Sequence, residues 1–245
     1  MIEIKLFENV NLNGYAFIEG FPGIGLVGPM TISYIIDKLG MRYVGFLESE
    51  SFPPLVSIHK NEPMPPIRIY SAEKEKLVTI FAEFAIPMEL ISELSNAIYD
   101  FLKKNGVLKI YSVGGIPAQD NDQTPFVVAS NPAITNSAIS AGGLKPVGEG
   151  VATGVSAMLL VKSAMNKGQA VCIMIPVEQN IIDPTYAEIA IVSLNKLMNL
   201  NIDIADIDRE AKMVQAKIKE LISKHKETHD NYKKAIDDSN PSMYA

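Results

Sequence analysis

Apolar positions along the chain switch repeatedly between the period of a strand and that of a helix. IEIKLFE near the start and YAFIEG at 15–20 have the short, β-rich make-up of strands. GLVGPMTISYIIDKLG, residues 25–40, instead spaces its apolar residues along one helical face. RYVGFLES reads as the next strand. LVSIHK, PIRIYS and KLVTIFAEFA follow as further strands, divided by the turns NEPMPP and AEKEK, which predicts a hairpin region. PMELISELSNAIYDFLKKNG is a helix with Pro87 at its opening and Gly106 at its close. The strand VLKIYSVGG, the strand PFVVAS, the helix NPAITNSAISAGG, the short strand LKPVGE, the helix VSAMLLVKSAMNKG and the strand QAVCIMIPV continue the alternation. Such an order calls for an α/β domain, its sheet mostly parallel and covered by helices on both faces.

After Pro184 the character changes. TYAEIAIVSLNKLMNL is an amphipathic helix, and from Asp206 to about Ala235 the chain is charged and helical in pattern. Ile207, Ala211, Val214, Ile218 and Leu221 step by four, three, four and three, a heptad-like seam. The seam is short, and suits a helix packed along its own domain as well as one packed on a second subunit. The expected organisation is an α/β domain over 1–203, a helical extension over 204–236 and a flexible tail over 237–245.

Of the 245 residues, 47% are hydrophobic, which is ample for a large single core. A net charge of -6 argues against a nucleic-acid groove or an anionic membrane surface as partner. Cys172, the single cysteine, lies in an apolar strand and reads as a buried, inert thiol. With no internal disulfide available, no signal-peptide pattern in MIEIKLFENV and no apolar run of ~18 residues, the expected location is the cytoplasm.

Candidate chemistry narrows the picture further. In EGFPGIGLVG, Gly23, Gly25 and Gly28 fit G-x-G-x-x-G between a strand and a helix, with Glu48 and Glu50 about twenty residues on. That pattern marks dinucleotide sites, but Pro22 and the apolar Ile24, Leu26 and Val27 suit a loop packed under neighbouring structure. We expect these glycines to serve turn geometry and packing, with at most weak anion binding at the helix N-terminus and no cofactor. The sequence contains no P-loop, and Ser156 in TGVSAM is not a nucleophile elbow. His225 and His229 are one helical turn apart, yet Glu227 is misplaced for H-E-x-x-H; a solvated face explains them. His59 has no partner identifiable from the sequence. Asp120 and Asp122 lie in a turn that needs no cation to explain its composition. Gly114, Gly115, Gly148, Gly150 and Gly154 fall at strand ends, where an open sheet forms its crevice. No metal site is expected.

GFPGIGLVG after a strand, VGGIPA after another, the strand ending PVE, and DPTYAEIAIVSLNKLMNLNIDIADIDREA before a charged helix together resemble the PAC2 family, the proteasome assembly chaperone group. The resemblance covers essentially the whole chain. It implies a three-layer α/β/α sandwich similar to nucleoside phosphorylases without their catalytic machinery, and a homo-oligomer. It further implies a tail that binds the α subunits of the core proteasome. Met243, Tyr244 and Ala245 match the hydrophobic-tyrosine-any-residue ending by which such proteins enter pockets between α subunits. There the apolar side chain fills a slot, the phenol packs and hydrogen-bonds, and the terminal carboxylate pairs with a lysine. The polar spacer DDSNPS could extend roughly 20 Å at ~3.3 Å per residue. The expected function is a non-enzymatic proteasome-binding protein, chaperone or ATP-independent activator. The alternative is a nucleoside- or nucleotide-binding protein or enzyme on the same fold.

Overall fold

The computed structural model describes residues 1–207 apart from 8–9, 60, 108, 119–121 and 179–180. Its elements run β1 (Glu3–Leu6), β2 (Ala16–Glu19), α1 (Val27–Lys38), β3 (Arg42–Glu48), β4 (Ser57–His59), β5 (Glu62–Met64), β6 (Ile67–Ala72), β7 (Leu77–Ala82) and α2 (Ile91–Lys104). Then come β8 (Lys109–Pro117), β9 (Phe126–Ala129), α3 (Pro132–Gly142), β10 (Lys145–Pro146), α4 (Gly154–Met165), β11 (Gln169–Val177) and α5 (Pro184–Met198). The alternation read from the sequence is present throughout. β5 is the one strand taken for a turn: NEPMPP carries Pro63, which is tolerated because β4 and β5 form a separate two-stranded sheet.

The main sheet has the order β1-β3-β6-β7-β2-β8-β11-β9-β10. Its centre, β7-β2-β8-β11, is parallel throughout. On one flank β7, β6, β3 and β1 pair antiparallel, and on the other β9 runs antiparallel to β11. Connection length explains the difference. The charged turn between β6 and β7 is too short for anything but a hairpin, whereas the central strands are joined through helical crossovers. β1 lies on one outer edge, where its Lys5 pairs with Glu3 and with Glu48 of β3; the other edge is the very short β10.

α1, α3 and α5 cover one face of the sheet and α2 and α4 the other, giving three layers. Met30, Tyr34 and Ile35 of α1 pack with Ala187, Ile191 and Leu194 of α5 on the first face. Leu94, Ile98 and Leu102 of α2 meet Leu159 of α4 on the second. The helix ends follow capping chemistry. Asn131 accepts from Ile134 N at 3.0 Å with Pro132 following, and Asp183 accepts from Thr185 N at 2.9 Å with Pro184 following. The chain after α5 lies back on the body. The Asn195 amide bonds both backbone groups of Ile202, Tyr34 donates to Asp203 O at 2.7 Å, and Lys38 pairs with Asp206 at 2.8 Å. Ile207, the first residue of the heptad-like seam, is buried against the first core; the rest of the seam lies outside the described residues.

The β4-β5 sheet is tied to the body by buried ions. Arg68, 1% exposed, donates to Glu83 Oε2 at 3.0 Å, to Pro65 O at 2.9 Å and to the Tyr70 hydroxyl at 2.9 Å. His59 Nε2 lies 3.0 Å from the other Glu83 oxygen, supplying the partner that its sequence neighbourhood does not reveal. Burial by itself would raise the Glu83 carboxyl, but Arg68, with smaller contributions from Ser57 and His59, outweighs it and holds the carboxyl below its ordinary range.

Candidate functional site

β2 ends at Glu19, and the glycine loop begins at once. Gly20 and Gly28 lie backbone to backbone: a Cβ on Gly28 would sit 2.6 Å from the Gly20 carbonyl carbon. Gly25 has φ +67, and a Cβ there would press on Val177 of β11 at 3.2 Å. A Cβ on Gly115 of β8 would stand 2.3 Å from Ile24 O. The loop is therefore clamped onto the ends of β8 and β11. Gly23 differs, being extended at φ -154 with nothing nearer than 3.9 Å to a Cβ.

Val27, Gly28 and Pro29 in the first turn of α1 are all buried, and Pro29 has no N–H to offer. A pyrophosphate site needs that helix end open. Glu48 sits on β3, separated from β2 by β6 and β7 and paired with Lys5, so it is not placed for a ribose bound at this loop. Glu50 is exposed in the segment after β3. Gly28→Ala is accordingly expected to cost ~1–3 kcal/mol, because one backbone must move off another, whereas Gly23→Ala should stay within ~0.5 kcal/mol. Urea unfolding of the two variants measures the contrast.

On the opposite face of the sheet, level with the end of β2, the neighbouring strands carry polar side chains. Register sets Glu19 of β2 beside Ser112 of β8, and Ser112 beside Cys172 of β11. Ser156, in the first turn of α4, closes over Glu19. The Glu19 carboxyl is 0% exposed, and its Oε2 accepts from Phe21 N at 3.3 Å. Burial raises its pKa, and the Ser112 and Ser156 hydroxyls and the Phe21 N–H only partly oppose that rise. Oε1 completes no hydrogen bond. The Cys172 thiol is pushed up to about 12 by burial, with a smaller contribution from Glu19. It is inert in the way its apolar strand implies.

The other sequence candidates do not converge on this place. Asp122 pairs with Lys145, and that contact with the hydrogen bonds from Thr124 keeps its carboxyl well below the usual range. Among the described residues no group of three His, Cys, Asp or Glu side chains could hold a metal ion. Asp120, His225, Glu227 and His229 lie outside the described residues, as do Met243, Tyr244 and Ala245. Sequence reasoning also passed over an open groove of about 590 Å³ lined by Phe46, Phe52, Pro53, Pro54, Val56 and Pro65, among others. Its signal was the paired prolines in SFPP and PMPP. No helix among the described residues is long and apolar enough to cross a membrane.

The PAC2 family matches residues 17–222 of the chain. An uncharacterized protein of Methanocaldococcus jannaschii is 32% identical over 213 residues, 85% of each chain. The fold is similar to that of Pyrococcus furiosus PbaA, an archaeal homolog of proteasome-assembly chaperone. The TM-score is 0.81 and the identity 24%, over 95% of this chain and 100% of that one. It is also similar to P. furiosus PbaB, an archaeal proteasome activator, with TM-score 0.74 and 20% identity over 90% of this chain and 98% of that one. The family match covers every strand of the main sheet but β1, the glycine loop and helices α1 to α5, and with the M. jannaschii relative it makes the chain a member of the PAC2 family.

Proposed function

We propose that this protein is a non-enzymatic proteasome-binding protein, an assembly chaperone or an ATP-independent activator, that docks its C-terminal tail into α-ring pockets of the core proteasome. The observation that carries the reading is the ending Met243, Tyr244 and Ala245 on a chain of this family. The whole-length likeness to PbaA and PbaB supports it. Without a P-loop, the chain has no such means of coupling ATP hydrolysis to unfolding of a substrate. The protein acts as a homo-oligomer, so that several tails face the ring together and reinforce one another.

The test is a pull-down with purified α rings and with complete proteasomes, using the native chain and one extended by a C-terminal tag. Capture of both by the native chain, lost on tagging, is the expected result; retention of α rings alone would favour the chaperone role. Equal capture by the tagged chain would remove the carboxylate from the mechanism. Light scattering at micromolar concentration should report an oligomer, and a monomer there would contradict the multivalent part of the reading.

A further inference from the structure

We propose that the outward face of α4 is the contact through which two copies of this chain pair about a twofold axis, with the two helices antiparallel. The inference deepens the oligomer reading above, on which it rests, by naming the surface. α4 turns Val155, Leu159 and Ser163 into the protein. Helical spacing sets Ala157, Met158, Val161, Ala164 and Met165 on the opposite side, as one stripe centred on Val161. Val161 is 48% and Met165 80% exposed, and Ala164 is exposed as well. The single charged residue of the helix, Lys162, lies to one side of the stripe. α2, packed beside α4 on the same face of the sheet, shows what a solvated helix looks like here. Its exposed positions are Ser92, Asn96, Asp100, Lys103 and Lys104, every one polar. Two helices of one layer thus differ in what they offer outwards, and the apolar one marks a contact surface.

The order of sizes within the stripe names the occupant. Small Ala157 and large Met158 precede Val161 by four and three positions, and small Ala164 and large Met165 follow it by three and four. An antiparallel copy turned about an axis through Val161 reverses these offsets, so that Met165 falls on the partner's Ala157 and Met158 on the partner's Ala164. Each methionine then meets a small side chain, and the two copies of Val161 meet at the axis. A parallel pairing would set methionine on methionine and leave alanine facing alanine. Antiparallel helices also bring each N-terminus, with its partial positive charge, beside the other's C-terminus. A patch that fits its own copy in this way is what a twofold contact requires. The polar positions of α2 supply a rim beside the apolar centre, the usual anatomy of a protein interface. The chain's own C-terminal stretch is the poorer occupant, because the described chain ends at Ile207, buried with α1 and α5 on the other face of the sheet.

The experiment uses the full chain with one cysteine added at a time, since the native Cys172 is buried and gives no background. Under mild oxidation Val161→Cys should form a disulfide-linked dimer, because the two positions meet at the axis. Met165→Cys should not, since an antiparallel pair holds its two copies about 12 Å apart along the helices at ~1.5 Å per residue. Val161→Glu sets two carboxylates against each other at the axis and should weaken self-association by about a hundredfold or more, read by light scattering over a concentration series. Its urea unfolding in dilute solution should match the wild type, because the side chain faces outwards in a single copy. Equal crosslinking at both positions, or at Met165→Cys alone, would overturn the twofold pairing, as would an unchanged mass for Val161→Glu. A loss of stability in Val161→Glu without crosslinking of Val161→Cys would assign the stripe to residues 208–245 of the same chain and overturn the pairing too. A wild-type monomer removes the oligomer reading itself, whereas an oligomer that Val161→Glu leaves intact removes only this surface.

Discussion

Replacing Tyr244 by alanine should lower the affinity of the assembled protein for the proteasome by well over thirty-fold while leaving fold and oligomer unchanged. Truncating one buried tyrosine anchor costs ~2 kcal/mol or more, about thirty-fold per site. Tails that engage together multiply the effect, since linked docking adds roughly 10²- to 10⁴-fold over a single contact when the spacers reach. Met243→Ala should weaken binding less, because the lost contact is apolar and a neighbouring side chain can partly refill the slot. Surface binding to immobilised proteasome, with native chain, Tyr244→Ala and Met243→Ala side by side, reads the order directly. Equal affinity for all three would make the ending an accident of composition.

Arg68→Ala should be among the most destabilising single substitutions in the body, by ~3–5 kcal/mol. Arg68 and Glu83 are 1% and 3% exposed, so removing the guanidinium strands a carboxylate in the interior. It also unbonds Pro65 O and the Tyr70 hydroxyl and leaves Phe81 without the guanidinium that packs over its ring. The double variant Arg68→Met with Glu83→Gln should recover much of the loss, because burying apolar volume and a neutral amide avoids the unpaired charge. The pH dependence has a definite sign. Glu83 is held below the ordinary carboxyl range in the folded protein, so its contribution is present above that range and is lost as pH falls through the folded-state value. In Arg68→Ala the buried carboxylate has lost the guanidinium and keeps His59, 3.0 Å away and cationic only when protonated, so the variant should gain relative to wild type on acidification, both by protonation of Glu83 and by charging of His59. Urea unfolding at neutral and mildly acidic pH measures both effects; equal losses at the two pH values would mean that the pair does not act through charge.

The layers of this fold were legible because helix and strand leave different periods in the sequence, and because helices covering two faces follow from their alternation with parallel strands. Strand order was not, since β2 reaches its place between β7 and β8 through pairings far apart in the chain. The same distance hid His59 from Glu83, 24 residues on. Glu19 was missed for another reason. An acid at the end of YAFIEG looks like the polar close of a strand, and only the helix crossing above it, more than a hundred residues later, makes it an interior group. The glycine loop could be read locally, yet a pattern of glycines does not say whether the close approach is to phosphate or to protein. Here Gly28 lies against Gly20, Gly25 against Val177, and Gly115 receives Ile24 O.

The edges of the main sheet bear on how copies of the protein can meet. Glu3 and Lys5 of β1, with Glu48 alongside, set alternating charge along one border, and the other border is only two residues long. Charged or very short borders discourage a strand of another molecule from continuing the ladder. A protein with several apolar strands thus stays protected from open-ended stacking during synthesis and storage. Any contact between copies is then left to surfaces other than the sheet borders, where a two-fold or ring arrangement could close on itself in place of growing into fibres.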